Sequence, residues 1–379
     1  MRLRYLEDWA EADLADRMVF VGGPRQVGKT TFALSLVAEP RSTSNPAYLN
    51  WDDLTDRESI LAGRLPAAQP RVIFDEIHKY AQWRGLLKGL FDKNRDTVSF
   101  LVTGSARLDY YRKGGDSLQG RYHYYRLHPF SARELEPSPS RELVAQLLRF
   151  GGFPEPFLRA DERFHRRWRR EHTDRVLQED LRDLEHVREV SMLELLLHHL
   201  PACVGSPLSV NSLSKLLQVA HATIEHWLAI LDRLYVSYRI PPFGGNRIRA
   251  VKKEKKLYFW DWSRVPEAGP RFENMVAGHL LKYCHLEEDT QGHAMELRYL
   301  RDTDRREIDF VVLRDGRAEF AVECKSGERD PAPACRYFRE RTEIPRFYQV
   351  HLGDKDFGNP DTGTRVLPFP TLCRELALP

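Results

Sequence analysis

Three apolar runs in the N-terminal third of the chain, Val19-Phe20-Val21, Val72-Ile73-Phe74 and Phe100-Leu101-Val102, contain no alternating polar positions. Strands buried on both faces have this pattern, because a parallel sheet is covered by helices above and below. Shorter strand-like pieces at 47–50 and 122–127 join them, and helical spacing fills the intervals. Residues 3–16 set Leu6, Trp9, Ala10 and Leu14 on one helical face, and another helix starts at Thr31. This alternation predicts an α/β fold built on a parallel sheet.

Glu136-Pro137-Ser138-Pro139-Ser140 interrupts the pattern, since two prolines cannot continue a helix. Residues 141–200 then keep a nearly unbroken helical period. Within them, Arg163-Phe164-His165-Arg166-Arg167-Trp168-Arg169-Arg170 interleaves arginine with aromatics. That is either a contact for a nucleic-acid backbone or a solvated helix whose Phe164 and Trp168 face a core.

Residues 208–260 have a more specific layout. A helix at 211–219, a tight Ala220-His221-Ala222 turn and a helix at 223–234 come first, the latter with Ile224, Trp227, Leu228, Leu231 and Leu234 on one face. Strands at 236–240 and 256–260 close the unit, which is the order of a winged helix-turn-helix. The loop joining those strands sets Arg247, Arg249, Lys252, Lys253, Lys255 and Lys256 against one acid, Glu254, a wing suited to phosphates. The exposed face of the second helix mixes His226 and Arg233 with Glu225 and Asp232, poor material for reading bases. Binding to the DNA backbone and docking of a protein therefore both stand. From Arg271 a helix carrying Glu273 leads to a hairpin of strands at 307–313 and 318–325 around Arg314-Asp315-Gly316-Arg317, with another strand at 347–352.

Composition narrows the partners. A chain of 379 residues holds two or three domains with proper cores. Its net charge of +3 falls short of a dedicated nucleic-acid binder, so any such footprint is local. Cys203, Cys284, Cys324, Cys335 and Cys373 are scattered and odd in number, which suits a reducing compartment and argues against a zinc ribbon or disulfide framework. No apolar run approaches the roughly 18 residues of a membrane span, and Glu7, Asp8, Glu11 and Asp13 stand where a secretory leader would be apolar. The expectation is a cytoplasmic protein without membrane contact.

The chemistry concentrates after the first apolar run. Gly23-Pro24-Arg25-Gln26-Val27-Gly28-Lys29-Thr30, followed by Thr31, fits G-x-x-x-x-G-K-[ST] between a strand and a helix. Small residues let successive backbone N–H groups converge on phosphate oxygens; Lys29 reaches the β and γ phosphates, and Thr30 offers a hydroxyl to Mg²⁺. The run ending in Asp75-Glu76 places one carboxylate at the carboxyl edge of the sheet for Mg²⁺ and the next as general base toward an attacking water. The strand at 98–105 ends in Thr103 and Ser105, with Arg107 beyond; Ser105 is the candidate sensor of the γ-phosphate, unless these groups only finish a strand. Arg121, after Gly120, is the candidate arginine finger, acting in cis or from a neighbouring subunit, or else caps a loop.

These segments, with Phe74-Asp75-Glu76-Ile77-His78, Thr103-Gly104-Ser105-Ala106, Leu118-Gln119-Gly120-Arg121, His128-Pro129-Phe130-Ser131, Glu134 and Gly151-Gly152-Phe153-Pro154-Glu155, resemble the AAA-type ATPases of bacteria and archaea that carry a C-terminal module of unassigned function. The resemblance implies an ASCE-class P-loop domain, with an extra strand between the two nucleotide-site strands, ATP and Mg²⁺ as cofactors, and a catalytic Glu. His78 stands where relatives often have Gln, and the sensor position holds Ser in place of Asn. In the C-terminal part, Glu323 and Lys325 share one side of a strand, Asp309 lies on its partner, Cys324 is expected buried opposite them, and Glu273 sits on the preceding helix. This resembles the PD-(D/E)XK nuclease fold, which implies Glu273, Asp309 and Glu323 around Mg²⁺ with Lys325 beside them. The expected domains are a P-loop AAA-type unit at 1–136, a helical region at 141–205, a winged helix at 206–262 and a restriction-endonuclease-like α/β domain at 265–379. The leading expectation is an ATPase that engages DNA as a homo-oligomer, a hexamer among the candidates; a nucleotide-gated protein-docking switch and an ATP-dependent nuclease are the alternatives.

Overall fold

A computed structural model describes residues 4–104, 108, 118–177, 190–244 and 254–379. The chain divides into two compact units, Met1–His128 and Pro129–Pro379.

In the first unit the apolar runs form β1 (Met18–Gly22), β3 (Arg71–Asp75) and β4 (Ser99–Thr103), with β2 (Tyr48–Asn50) and β5 (Tyr122–Arg126) at the edges. All pairs are parallel and the order is β2-β3-β4-β1-β5. β4 thus lies between the strand that feeds the glycine-rich loop and the strand that ends in Asp75. Helices α1 (Glu7–Asp13), α2 (Lys29–Ser35), α3 (Leu54–Leu61) and α4 (Trp83–Asn94) connect and cover the sheet. Phe20, Phe74, Phe100, Leu87 and Phe91 form its core, which explains why those strands needed no polar face. α1 is shorter than its sequence pattern: Leu6, Ala10 and Leu14, four apart, are buried, and Trp9 is 42% exposed.

The second unit begins at Pro129, ahead of the proline-rich stretch. The reason is α5 (Ala132–Leu135): the Ala132 N–H donates to His279 Nε2 at 3.0 Å, and buried Lys282 pairs with the Glu134 carboxylate at 2.5 Å. Then come α6 (Arg141–Phe150), α7 (Pro154–Arg159), α8 (Glu162–Arg175) and α9 (Val190–His199). On α8 the buried stripe is His165, Trp168 and His172, with Trp168 stacked on His172 at 4.8 Å. Phe164, expected to face the core with Trp168, is instead half-buried under the Arg159 guanidinium, 4.2 Å from its ring. It lies one residue outside the stripe, about 100° round the helix.

Helices α10 (Val210–Leu217) and α11 (His221–Arg233) lead into the antiparallel ribbon of β6 (Ser237–Ile240) and β7 (Lys256–Phe259). The 24-residue α12 (Ala268–Gln291) buries Phe272, Met275, Val276 and Leu280. It packs on a second sheet formed by β8 (Met295–Arg301), β9 (Glu307–Arg314), β10 (Arg317–Cys324), β11 (Phe347–His351) and β12 (Thr364–Pro368), in the order β12-β11-β10-β9-β8. The β8/β9 and β9/β10 pairs are antiparallel; β10/β11 and β11/β12 are parallel. At the β9/β10 turn, Asp315 and Gly316 both take positive φ, 51° and 78°, as a two-residue hairpin requires. α13 (Pro333–Arg339) covers Ile308, Val311, Ala321 and Phe347 with Phe338, and α14 (Phe369–Glu375) ends the chain's regular structure. Among the described residues no helix is long and apolar enough to cross a membrane.

Candidate functional site

The glycine-rich loop leaves β1 at its carboxyl end. Gly23 has φ 144° and a Cβ there would meet the Leu127 carbonyl oxygen at 2.4 Å; Gly28, which opens α2, has φ 95°. Between them Pro24 is buried, Arg25 and Gln26 are half-exposed with Gln26 at φ 62°, and Val27 is fully enclosed. The Arg4 guanidinium holds the loop from below by donating to the Val27 carbonyl at 3.0 Å. Lys29 is buried, and its ammonium donates to the carbonyls of Gly23 (3.1 Å) and Pro24 (2.7 Å). Thr31 is exposed on the first turn of α2.

Asp75 ends β3 directly beside this loop. Its carboxylate accepts three hydroxyls: Thr30 Oγ1 at 3.0 Å, Tyr48 OH at 2.6 Å and Thr103 Oγ1 at 2.5 Å. The sheet register explains the last two. Thr103 pairs with Asp75 across β3 and β4, and β2 brings Tyr48 alongside. Burial, then the Asp75 carboxylate, keeps the Tyr48 proton in place far into the alkaline range.

Glu76 follows in a left-handed conformation, φ 58°, with its N–H donating to the Thr103 carbonyl at 3.0 Å. A non-glycine residue held there stores backbone strain of about 1–3 kcal/mol, a cost that persists where a side chain must be aimed. Its carboxylate lies 3.6 Å from both Lys79 Nζ and His78 Nε2, and Lys79 reaches on to Asp52 at 2.5 Å. Burial and the adjacent Asp75 push the Glu76 carboxyl above its usual range, against the pull of Lys29 and Lys79. His78 is buried, and Gly104 makes room for it: a Cβ on Gly104 would meet the imidazole Nδ1 at 2.5 Å.

Of the remaining sequence candidates in the first unit, one can be placed relative to this cluster and it stands apart: Arg121. Ser105 and Arg107 lie outside the described residues, and the polar group seen at the tip of β4 is Thr103. Arg121 precedes β5 and pairs bidentately with Asp92, at 2.8 and 3.1 Å. Its neighbour Tyr122 is opposite Met18, the start of β1, whereas the phosphate loop follows Gly22. At about 3.3 Å per residue the two ends are roughly 13 Å apart, so Arg121 does not reach its own chain's loop.

In the second unit, Glu273 on α12, Asp309 on β9, Glu323 on β10 and Lys325 just beyond it do converge. Lys325 Nζ contacts Glu323 at 2.6 Å, the Asp309 N–H donates to Glu323 at 3.3 Å, and the Cys324 N–H donates to Asp309 at 2.9 Å. Cys324 itself is half-buried, not enclosed as expected.

The centre of the cluster belongs to a residue that the sequence pattern assigned elsewhere. Lys256, read as part of a basic wing, is 0% exposed and points inward from the start of β7. Its ammonium lies 3.1 Å from Glu273, 3.1 Å from Asp309 and 2.5 Å from Glu307. Tyr258, two residues on and therefore on the same side of the strand, donates to Glu273 at 2.7 Å. Burial and Asp309 raise the Glu273 carboxyl to about 7 and the Glu323 carboxyl to about 8, whereas the three carboxylates overcome burial and hold Lys256 protonated. Mg²⁺ needs oxygens at about 2.0–2.1 Å, and the position between Glu273 and Asp309 is taken by the ammonium. Among the described residues no group of three or more His, Cys, Asp or Glu is placed to hold a metal ion. The expected ligand trio therefore does not fit Mg²⁺ as it stands. Of the remaining wing, Lys255 is exposed and Arg247, Arg249, Lys252 and Lys253 lie outside the described residues.

Three known families match successive parts of the chain. Residues 15–136 match the AAA domain family, residues 141–266 a domain of unknown function (DUF8612) and residues 268–372 another (DUF4143). The uncharacterized protein MJ1544 of Methanocaldococcus jannaschii is 20% identical over 80% of this chain and 74% of its own. Among solved structures, the Aeropyrum pernix ORC1 protein in complex with DNA is 14% identical, covering 73% of this chain and 93% of that one, with a TM-score of 0.35. The Thermotoga maritima RuvB Holliday junction branch migration motor is 17% identical, covering 62% and 87%, with a TM-score of 0.31.

Proposed function

We propose that the first unit, an AAA-type domain, binds ATP with Mg²⁺ and hydrolyses it, and that the second unit engages DNA through its phosphate backbone, the chain working as a homo-oligomer. The observation that carries the first part is the 3.0 Å contact of Thr30 with Asp75, the loop hydroxyl against the strand-end carboxylate, with Glu76 next in sequence. Hydroxyl and carboxylate oxygens are the donors that Mg²⁺ takes. When bound, Mg²⁺ would be held by Thr30 and Asp75 and would neutralise charge building on the transferred phosphoryl group.

The chain's own residues supply the rest. Lys29 exchanges two neutral carbonyls for phosphate oxygens, a stronger, charge-assisted pairing. Glu76 accepts the proton of the attacking water; a carboxyl raised toward neutrality is the better base. Lys79 and His78 hold it in position. Ser105 is assigned as sensor. Arg121 is assigned to a neighbouring subunit's γ-phosphate, where such a group is worth ~10³–10⁵ in rate.

For DNA, support comes from the helix pair α10/α11 with its ribbon and from the exposed Arg163, Arg166, Arg167 and Arg170 of α8. The β12-β11-β10-β9-β8 sheet and the convergence of Glu273, Asp309, Glu323 and Lys325 support a nuclease-like ancestry for the C-terminal module. A nucleotide-gated switch that docks a protein is the second reading. It rests on the mixed charge of α11, where Glu225 and Asp232, each 2.8 Å from Arg239 of β6, share the helix with His226 and Arg233. The ATPase rate measured with single-stranded, duplex and branched DNA at two salt concentrations separates them. Stimulation that fades with salt supports the DNA reading, and no response to any DNA supports the switch.

A further inference from the structure

Among the described residues, four carboxylates and three cations meet in the C-terminal cluster. Lys256 touches Glu273, Glu307 and Asp309; Lys325 touches Glu323; and Arg301 reaches Glu307 at 2.6 Å. Even with all four carboxylates ionised only one negative charge is left over, so a divalent ion added to this set would overshoot neutrality. Lys256 is the only one of the three cations that is wholly enclosed; the side chains of Lys325 and Arg301 are 31% and 29% exposed. An enclosed ammonium that contacts three carboxylates cannot leave without stranding them. Its strand also pairs with β6, where Lys256 is opposite Ile240, so that the same side chain fastens the helix-turn-helix ribbon to the sheet beneath α12.

We infer that the Lys256 ammonium is the resident cation of this acid cluster in place of a divalent metal, so that the module keeps the nuclease-like arrangement of acids without metal-dependent phosphodiester cleavage. The cluster lies wholly within the second unit, and the inference is independent of ATP turnover in the first.

Mn²⁺ titration of the full chain without nucleotide, followed by electron paramagnetic resonance, tests this. Wild type is expected to take up no stoichiometric Mn²⁺ at the cluster and to show no Mn²⁺-dependent nicking of plasmid DNA. Lys256→Ser is expected to gain one Mn²⁺ per chain, with at least a tenfold gain in affinity, and to lose it again in Lys256→Ser/Asp309→Asn. If Lys256→Ser folds only when Mn²⁺ is present, the inference is equally supported. Stoichiometric Mn²⁺ on the wild type that disappears in Asp309→Asn overturns it, and that arm does not depend on the lysine variant folding. A well-folded Lys256→Ser that takes up no Mn²⁺ also overturns it, since the lysine would then not be what excludes the ion.

Discussion

The two units contain two acidic centres of opposite construction. Around Asp75 the partners are neutral hydroxyls from Thr30, Tyr48 and Thr103, which satisfy the carboxylate's lone pairs and leave its charge uncancelled. Around Asp309 and Glu273 the partner is the ammonium of Lys256, which cancels charge directly. Hydroxyls turn a carboxylate toward an incoming cation; an enclosed lysine replaces the cation. Two clusters that read alike in sequence, as acids at the ends of strands, are thereby set to different tasks by what surrounds them.

The largest expected effect lies at the first centre. Lys29→Ala should abolish nucleotide binding, read by calorimetry with ATP and Mg²⁺. Glu76→Gln should keep binding and lower kcat by about 10²–10⁴, the usual worth of a positioned base. Turnover that survives Glu76→Gln within threefold would take the base role away from Glu76.

Stability sharpens the contrast next. Lys256→Met leaves three carboxylates facing one another in a buried place and should cost about 3–5 kcal/mol in urea unfolding. Asp75→Asn keeps a carbonyl oxygen for the same hydroxyls and should cost under about 1.5 kcal/mol, although hydrolysis falls by two orders of magnitude or more. Equal losses from the two substitutions would show that both acidic centres are structural in the same sense.

How much of this could be read beforehand depended on the range of the interactions. The five-strand parallel sheet was legible because unbroken apolar runs have few other uses, and the place of the loop at 23–30 between β1 and α2 was legible because its glycine motif is contiguous in sequence. The approach of Asp309, Glu323 and Lys325 followed from strand parity and a hairpin turn, and Glu273 joined them only through the resemblance to the PD-(D/E)XK fold. Lys256 did not follow. It ends a basic run, and only the pairing of β6 with β7 determines that its side chain turns inward with Tyr258. Tyr48 and Thr103 likewise depended on register between strands, and so did the distance of Arg121 from its own chain's loop, because the sequence does not say at which end of the sheet a strand begins.

A background effect has to be separated from these. His279 is buried in α12, its Nε2 accepts from the Ala132 N–H and its Nδ1 donates to the Met275 carbonyl, so the ring is neutral. Burial lowers its pKa from 6.5 to about 4; Lys282 adds to the fall and Glu134 opposes it. The unfolded state then binds the proton more readily, and stability declines as pH drops from 6.5 toward 4, by roughly 3 kcal/mol at most. Urea midpoints at pH 7 and 4.5 read the slope. His279→Gln, which keeps an acceptor for Ala132, should flatten it, and an unchanged slope would move the acid sensitivity to other groups.

The smallest effect probes the hydroxyl ring itself. Tyr48→Phe removes one donor from Asp75 and leaves the ring in place, so that the carboxylate retains Thr30 and Thr103. A single hydrogen bond to a charged acceptor contributes about 1.5–3 kcal/mol, and water entering beside Asp75 in the variant returns part of it. The net expectation is a stability loss near 1 kcal/mol and a several-fold rise in the Mg²⁺ concentration needed for half-maximal hydrolysis, because a carboxylate held by fewer donors is less well aimed. Thr103→Val should act in the same direction. If both variants leave the Mg²⁺ dependence unchanged while lowering stability, the hydroxyls serve the sheet edge alone, and the difference between the two acidic centres reduces to the presence of Lys256.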